Sequence, residues 1–142
     1  MSVVSPESIE AHHALSAYTL TRGDASFIHQ HVVDTFAVQT AGPSTKPVAV
    51  LMGLVGLFLH CERGFTGRRV QAAHVAIARK TRAWPTFDLP AVRGRVGPLD
   101  VMAAPEGDAR DAAIHAWAAS VWEACVGLRP AVLSFLEAHG IV

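Results

Sequence analysis

Cysteine is scarce in this 142-residue chain: the only two are Cys61 and Cys125, each set in an apolar pattern of helical period. That speaks against a disulfide-framed fold and against a paired-cysteine metal site, and makes both of them small core residues. Charge of one sign is also lacking, because 12 lysines and arginines balance 12 aspartates and glutamates. A neutral chain whose arginines are not interleaved with aromatics gives no reason to expect nucleic acid as a partner. Hydrophobic runs are short. The longest, residues 48–59, falls well below the ~20 residues needed to cross a bilayer, so no membrane is expected. The first ten residues lack the basic segment and apolar stretch of a secretory signal, and the cytoplasm is the expected location. Finally, no segment alternates apolar and polar residues between turn signals, which excludes a strand-based fold, and no internal repeat is present.

What is abundant is helical patterning on a chain that is 51% hydrophobic. Ser5-Pro6-Glu7 is a helix-start signal, a serine cap with proline at the first helical position and an acid in the first turn, and that helix should run to about Tyr18. Asp24 or Ser26 caps a second helix ending near Thr40, before Gly42-Pro43. A third starts at Thr45-Lys46-Pro47 and stops at Gly64. Thr66 caps a fourth that reaches about Arg82. Trp84-Pro85, Pro90, Gly94, Gly97 and Pro98 forbid regular structure over about 84–98, apart from one short turn after Leu99. Asp108 opens the last helical region, to about His139, with a kink or break at Pro130 near Gly127. The short connectors make neighbours antiparallel. The expected fold is therefore all-α, an antiparallel helical bundle of four to five helices forming one domain over 1–142, with residues 84–98 lying across one end as a lid.

Three histidines fall where such a bundle turns them inward. At 100° per residue, His74 lies near the centre of the apolar face made by Val70, Ala73, Ile77 and Ala78, with Gln71 beside it and arginines opposite. A core histidine satisfied by a carbonyl is the plainer reading of His74 taken alone. His60 closes the third helix, which is apolar all round and hence central. Gly56 and Gly53 precede it on the same stripe and leave the helix surface bare for another backbone or a ligand. On the second helix Gln30, His31 and Asp34 share a sector closed at both ends by Phe27 and Val38, the mark of a polar patch within a buried surface. His29 projects about 160° from His31, so a straight helix cannot aim both at one ion; His31 is preferred and His29 is the alternative.

Imidazoles drawn from facing helices are how bundles build metal sites, and three protein ligands with a fourth position open is the catalytic zinc pattern. The expectation is that His31, His60 and His74 hold one divalent ion, zinc first, with iron, nickel or manganese as alternatives. Asp34 or Glu62 would handle a proton, and Arg63 would orient an anionic group of a small-molecule substrate. Gln30, Gln71, Trp84 and His115 are candidate substrate contacts. Hydrolysis, hydration or lyase chemistry would suit such a centre. No H-E-x-x-H, paired C-x-x-C or repeated E-x-x-H motif is present. A metal-independent His–Asp acid/base enzyme and a non-catalytic small-molecule binding module are the competing readings, and a homodimer is compatible with all three.

The blocks Phe27-Ile28-His29-Gln30-His31-Val32-Val33-Asp34, Gly56-Leu57-Phe58-Leu59-His60-Cys61-Glu62-Arg63-Gly64 and Gln71-Ala72-Ala73-His74 resemble a small bacterial family of uncharacterised helical proteins, over roughly residues 15 to 125. That resemblance implies that the blocks form one unit and names no reaction. The chain is more loosely similar to DinB-type bundles, whose metal ligands are histidines on adjacent helices. Their H-x-x-x-H pair on one helix is missing here, so the similarity implies architecture alone.

Overall fold

The computed structural model describes residues 5–142; the first four residues of the stretch read as lacking a signal lie outside the described residues. Seven α-helices and no strand are present among those residues: α1 Pro6–Arg22, α2 His29–Thr40, α3 Pro47–Arg63, α4 Gly67–Lys80, α5 Pro98–Ala103, α6 Asp108–Ala124 and α7 Arg129–Ala138. The fold class is the expected one, with more helices than the four to five anticipated. The difference has two sources. The short turn after Pro98 is a helix of its own, and the last helical region is broken by a 3-10 turn, Val126–Leu128, before α7 restarts with Pro130 in its first turn.

Local chemistry sets the helix ends. Ser5 Oγ accepts the Ser8 N–H at 3.2 Å and Thr66 Oγ1 accepts the Arg69 N–H at 3.2 Å, each satisfying a donor left free by the first turn. Gly23 and Gly64 end α1 and α3 in the left-handed region, at φ 62° and 68°. α2 begins later than its sequence signals suggest. Asp24 Oδ2 accepts both the Ile28 N–H, at 2.9 Å, and the Ser26 hydroxyl, at 2.7 Å, and Phe27 is held at φ 57°, so the helix starts only at His29.

α3 is central, as its all-round apolar sequence requires: it packs against α2, α4, α6 and α7, while α2 also meets α1, α4 and α6. Val50, Leu54 and Ile77 are buried, so α2, α3 and α4 pack mutually around one continuous core with Leu15, Val32, Phe58, Trp117 and Leu136. Fully burying side chains of this size contributes about 1.5–3 kcal/mol each before entropy is counted. The α2–α3 contact is close because α3 has no side chain there. A Cβ at Gly53 would fall 2.7 Å from Val38 Cγ2, and one at Gly56 would fall 2.0 Å from Asp34 Oδ2.

Residues 81–97 are irregular, as their prolines and glycines dictate, yet anchored. Gln39 Nε2 donates to the Val96 and Arg93 carbonyls at 2.7 and 3.2 Å, and Gln39 Oε1 accepts the buried Trp117 Nε1–H at 2.9 Å. Arg93 in turn donates to the carbonyls of Val38, Gln39 and Ala41, capping α2. The segment therefore sits at the C-terminal end of α2. No single helix among the described residues is long and apolar enough to cross a membrane.

A candidate three-histidine centre

α2 and α3 are antiparallel, so the start of α2 lies level with the end of α3, and His31 meets His60 there. Their rings stack with centroids 3.6 Å apart and planes 22° from parallel. His115, in the second turn of α6, completes the group: its centroid is 4.9 Å from that of His60 and 5.9 Å from that of His31. His115 Nδ1 lies 3.0 Å from His60 Nε2. The tautomers follow from the neighbours. His60 Nδ1 faces the Phe65 carbonyl at 3.4 Å, and a carbonyl can only accept, so that nitrogen carries the proton. His60 Nε2 is then a lone-pair acceptor and His115 Nδ1–H donates to it.

The three rings line a cavity of about 440 Å³, a volume suited to a small molecule. Its other walls include Arg22, Asp24, Ile28, Phe65, Thr66 and Asp111. Arg22 is spent on Asp111 in a two-pronged pair, 2.6 and 2.9 Å, and on the Tyr18 hydroxyl at 2.7 Å. Burial acts to raise the Asp24 pKa, but hydrogen bonds from Ser26 and the Ile28 N–H outweigh it, so this carboxylate stays ionised below its ordinary range. Burial, followed by repulsion from His60 and His115, depresses His31 to about 3. Burial and His115 depress His60 to about 4. Both are neutral imidazoles near pH 7.

Several expected residues stand elsewhere. His74 does not converge with His31 and His60; its Nε2 donates to the Met52 carbonyl at 2.8 Å, two turns back along α3. It is the satisfied core histidine of the plainer reading. His29 faces α1, where its Nδ1 meets Thr19 Oγ1 at 2.9 Å, so His31 is the member of that pair that reaches the cavity. Glu62 does not line the cavity: it accepts from Trp122 Nε1 at 2.8 Å and Arg129 Nε at 2.6 Å, tying α3 to α6 and α7. Arg63 lies over the Phe58 ring rather than in the cavity, and Gln71 is exposed on α4. Trp84, in the irregular segment, packs on the core, and that segment is tied to the C-terminal end of α2, whereas His31 lies at its start, so the segment is not a lid on the histidines. Gln30 donates to Asp34 Oδ1 at 3.1 Å and does not line the cavity. Asp34 bonds to none of the histidines; burial raises its pKa well above the ordinary carboxyl range.

Sequence reasoning placed His115 among substrate contacts rather than in the central group. Its position, one residue after buried Ile114 and two before buried Trp117, puts it at the edge of α6's apolar face and was the available signal. A second hollow, about 460 Å³, lies by Pro43, Pro47, Val50, Phe87 and Leu89. It contains no imidazole or thiol, and its Arg93 is engaged in capping α2, so the histidine cavity is the one with chemistry to offer.

As the rings stand, no group of three or more His, Cys, Asp or Glu side chains among the described residues is placed to hold a metal ion. The reason is visible in the geometry. His31 lies face-on to His60, and His60 Nε2 is turned to His115. No curated protein and no solved structure matches the chain. Residues 2–126 match the model of a family of unknown function, DUF5946, and since that span is most of the chain, the protein belongs to this family.

Proposed function

We propose that this chain is a metal-dependent enzyme acting on a small molecule, with one divalent ion, zinc the first choice, held by His31, His60 and His115. The observation that carries the reading is the 3.0 Å separation of His60 Nε2 and His115 Nδ1, with a third imidazole stacked 3.6 Å away and all three on one cavity wall. Two nitrogens bound to zinc at about 2.0–2.1 Å and at the tetrahedral angle stand roughly 3.3 Å apart, so a metal ion can replace the shared proton with little change in spacing. Coordination also requires the rings to turn about their side-chain torsions, because His31 lies face-on to His60. The Phe65 carbonyl already orients His60, the usual support for a ligating imidazole.

An ion bound there would supply an activated water or a polarised carbonyl, suiting hydrolysis, hydration or lyase chemistry. Ile28 and Phe65 form the apolar wall against which a substrate packs, and Asp24, bonded through Oδ2 alone, offers Oδ1 to a donor group. Arg22 is committed to Asp111, so an anionic substrate is not the favoured class. Histidines on adjacent helices are also the feature shared with DinB-type bundles, again as architecture.

Cobalt(II) titration tests the reading. Wild type should develop the visible d–d absorption of a low-coordinate nitrogen site, and His115→Ala should not. A second reading rests on the same 3.0 Å contact. Without a metal, His60 and His115 form a proton-sharing pair able to act as acid and base. Turnover that survives full removal of metal would favour it.

A further inference from the structure

Two polar atoms on α2 are buried and without a partner: His31 Nδ1 and Asp34 Oδ2. Their residues are three apart on the helix, which sets them on neighbouring positions of one face, and they are only 4% and 3% exposed. One atom can carry a proton and the other can accept it. Asp34 fits at this depth because Gly56, one turn before His60, has no side chain, so its free oxygen lies against α3. Its other oxygen is already satisfied by Gln30. A buried oxygen without a partner costs stability, and an alanine at position 34 would avoid the cost. An aspartate there makes sense if another state of the site uses that oxygen.

We infer that Asp34 is the positioning residue of the metal centre, its Oδ2 accepting a hydrogen bond from His31 Nδ1–H when His31 binds the ion through Nε2. The inference rests on the metal reading above. Ligating imidazoles almost always donate their second N–H to a carboxylate or carbonyl, which fixes the ring and raises its basicity. His60 has the Phe65 carbonyl for this purpose, and Asp34 gives His31 the equivalent. A bond between them would satisfy both unpartnered atoms, and it is absent while His31 remains stacked on His60.

The test is zinc affinity, by competition with a chromophoric chelator, for wild type, Asp34→Asn and Asp34→Ala, with His74→Ala as a control outside the site. Asp34→Ala should weaken zinc binding about 10- to 100-fold and His74→Ala should leave it unchanged. Asp34→Asn, which keeps a carbonyl acceptor but no carboxyl group, should fall between. A purely structural role would not move the second readout, the nitrogen-15 spectrum of zinc-loaded protein. There His31 Nδ1 should be protonated and hydrogen-bonded in wild type, and that proton should become exchange-labile in Asp34→Ala. Wild type that binds zinc through the three histidines, with both Asp34 variants binding equally well and the Nδ1 signal unmoved, overturns this inference alone. Wild type that binds no zinc overturns the metal reading and the inference together.

Discussion

Gly56→Ala is the sharpest probe of the contact on which the histidine group is built. An alanine Cβ there would lie 2.0 Å from Asp34 Oδ2, 2.4 Å from Asp34 Cγ and 3.0 Å from Asp34 Cβ. All three distances are below van der Waals contact, so the carboxyl must swing out of the helix interface or α2 and α3 must separate. Overpacking of this kind costs about 1–3 kcal/mol, while replacing a mid-helix glycine by alanine gains about 1 kcal/mol. With two atoms so deeply overlapped the upper part of the cost applies, and a net loss of about 2 kcal/mol is expected. Asp34→Ala deletes the two closest atoms and leaves only the 3.0 Å neighbour. The double variant should therefore recover most of the loss, with a coupling of about 1–2 kcal/mol. Urea unfolding of wild type, both single variants and the double variant, all freed of metal so that ligand linkage does not enter, gives this coupling directly. If Gly56→Ala is stabilising by about 1 kcal/mol, as for an exposed helix, or if the two effects simply add, the α2–α3 contact is not the one described.

Stability should also fall with acid. His31 is depressed from 6.5 to about 3 and is almost fully buried, so the unfolded chain takes up its proton first as pH drops below 6.5, and stability is lost progressively down to about pH 3. From pH 7 to pH 5 this one residue should cost about 2 kcal/mol in metal-free protein, with half-buried His60 and His12 adding smaller shares. His31→Gln should flatten the dependence in urea melts at the two pH values; an unchanged slope would contradict it. Gln39→Leu leaves the Trp117 N–H and the Val96 carbonyl unpaired, and a loss of about 2–3 kcal/mol is expected in thermal melts. A loss below about 0.5 kcal/mol would mean water replaces both bonds. Trp84→Ala should destabilise the fold by about 2 kcal/mol, less than a fully buried tryptophan, and leave zinc affinity intact; weaker zinc binding would return the irregular segment to the histidines.

The helical class, the central place of α3 and the close approach over Gly53 and Gly56 were all legible from periodicity, because burial face and missing side chains are properties of one helix at a time. The choice of His31 over His29 followed from the same angular count. His74 was misjudged because periodicity gives the face of a helix and not the level along it. The tight turn at 64–66 starts α4 beside the end of α3, and seven residues of rise carry His74 about 10 Å down the bundle, to Met52. The same rise takes the chain after Lys80 to the far end, away from His60. His115 was undervalued because the docking of α6 onto α2 and α3 depends on a long, irregular connection whose path the sequence does not specify.

The metal content of protein purified without a histidine tag tests the central claim most directly, measured by mass spectrometry after reconstitution with zinc, iron, nickel or manganese and removal of loose ions. Wild type and His74→Ala should each retain about one ion per chain, and His60→Ala and His115→Ala should retain almost none while keeping their helical circular dichroism. A wild type that retains none of the four metals, or content unchanged in His60→Ala and His115→Ala, would contradict a three-histidine metal centre.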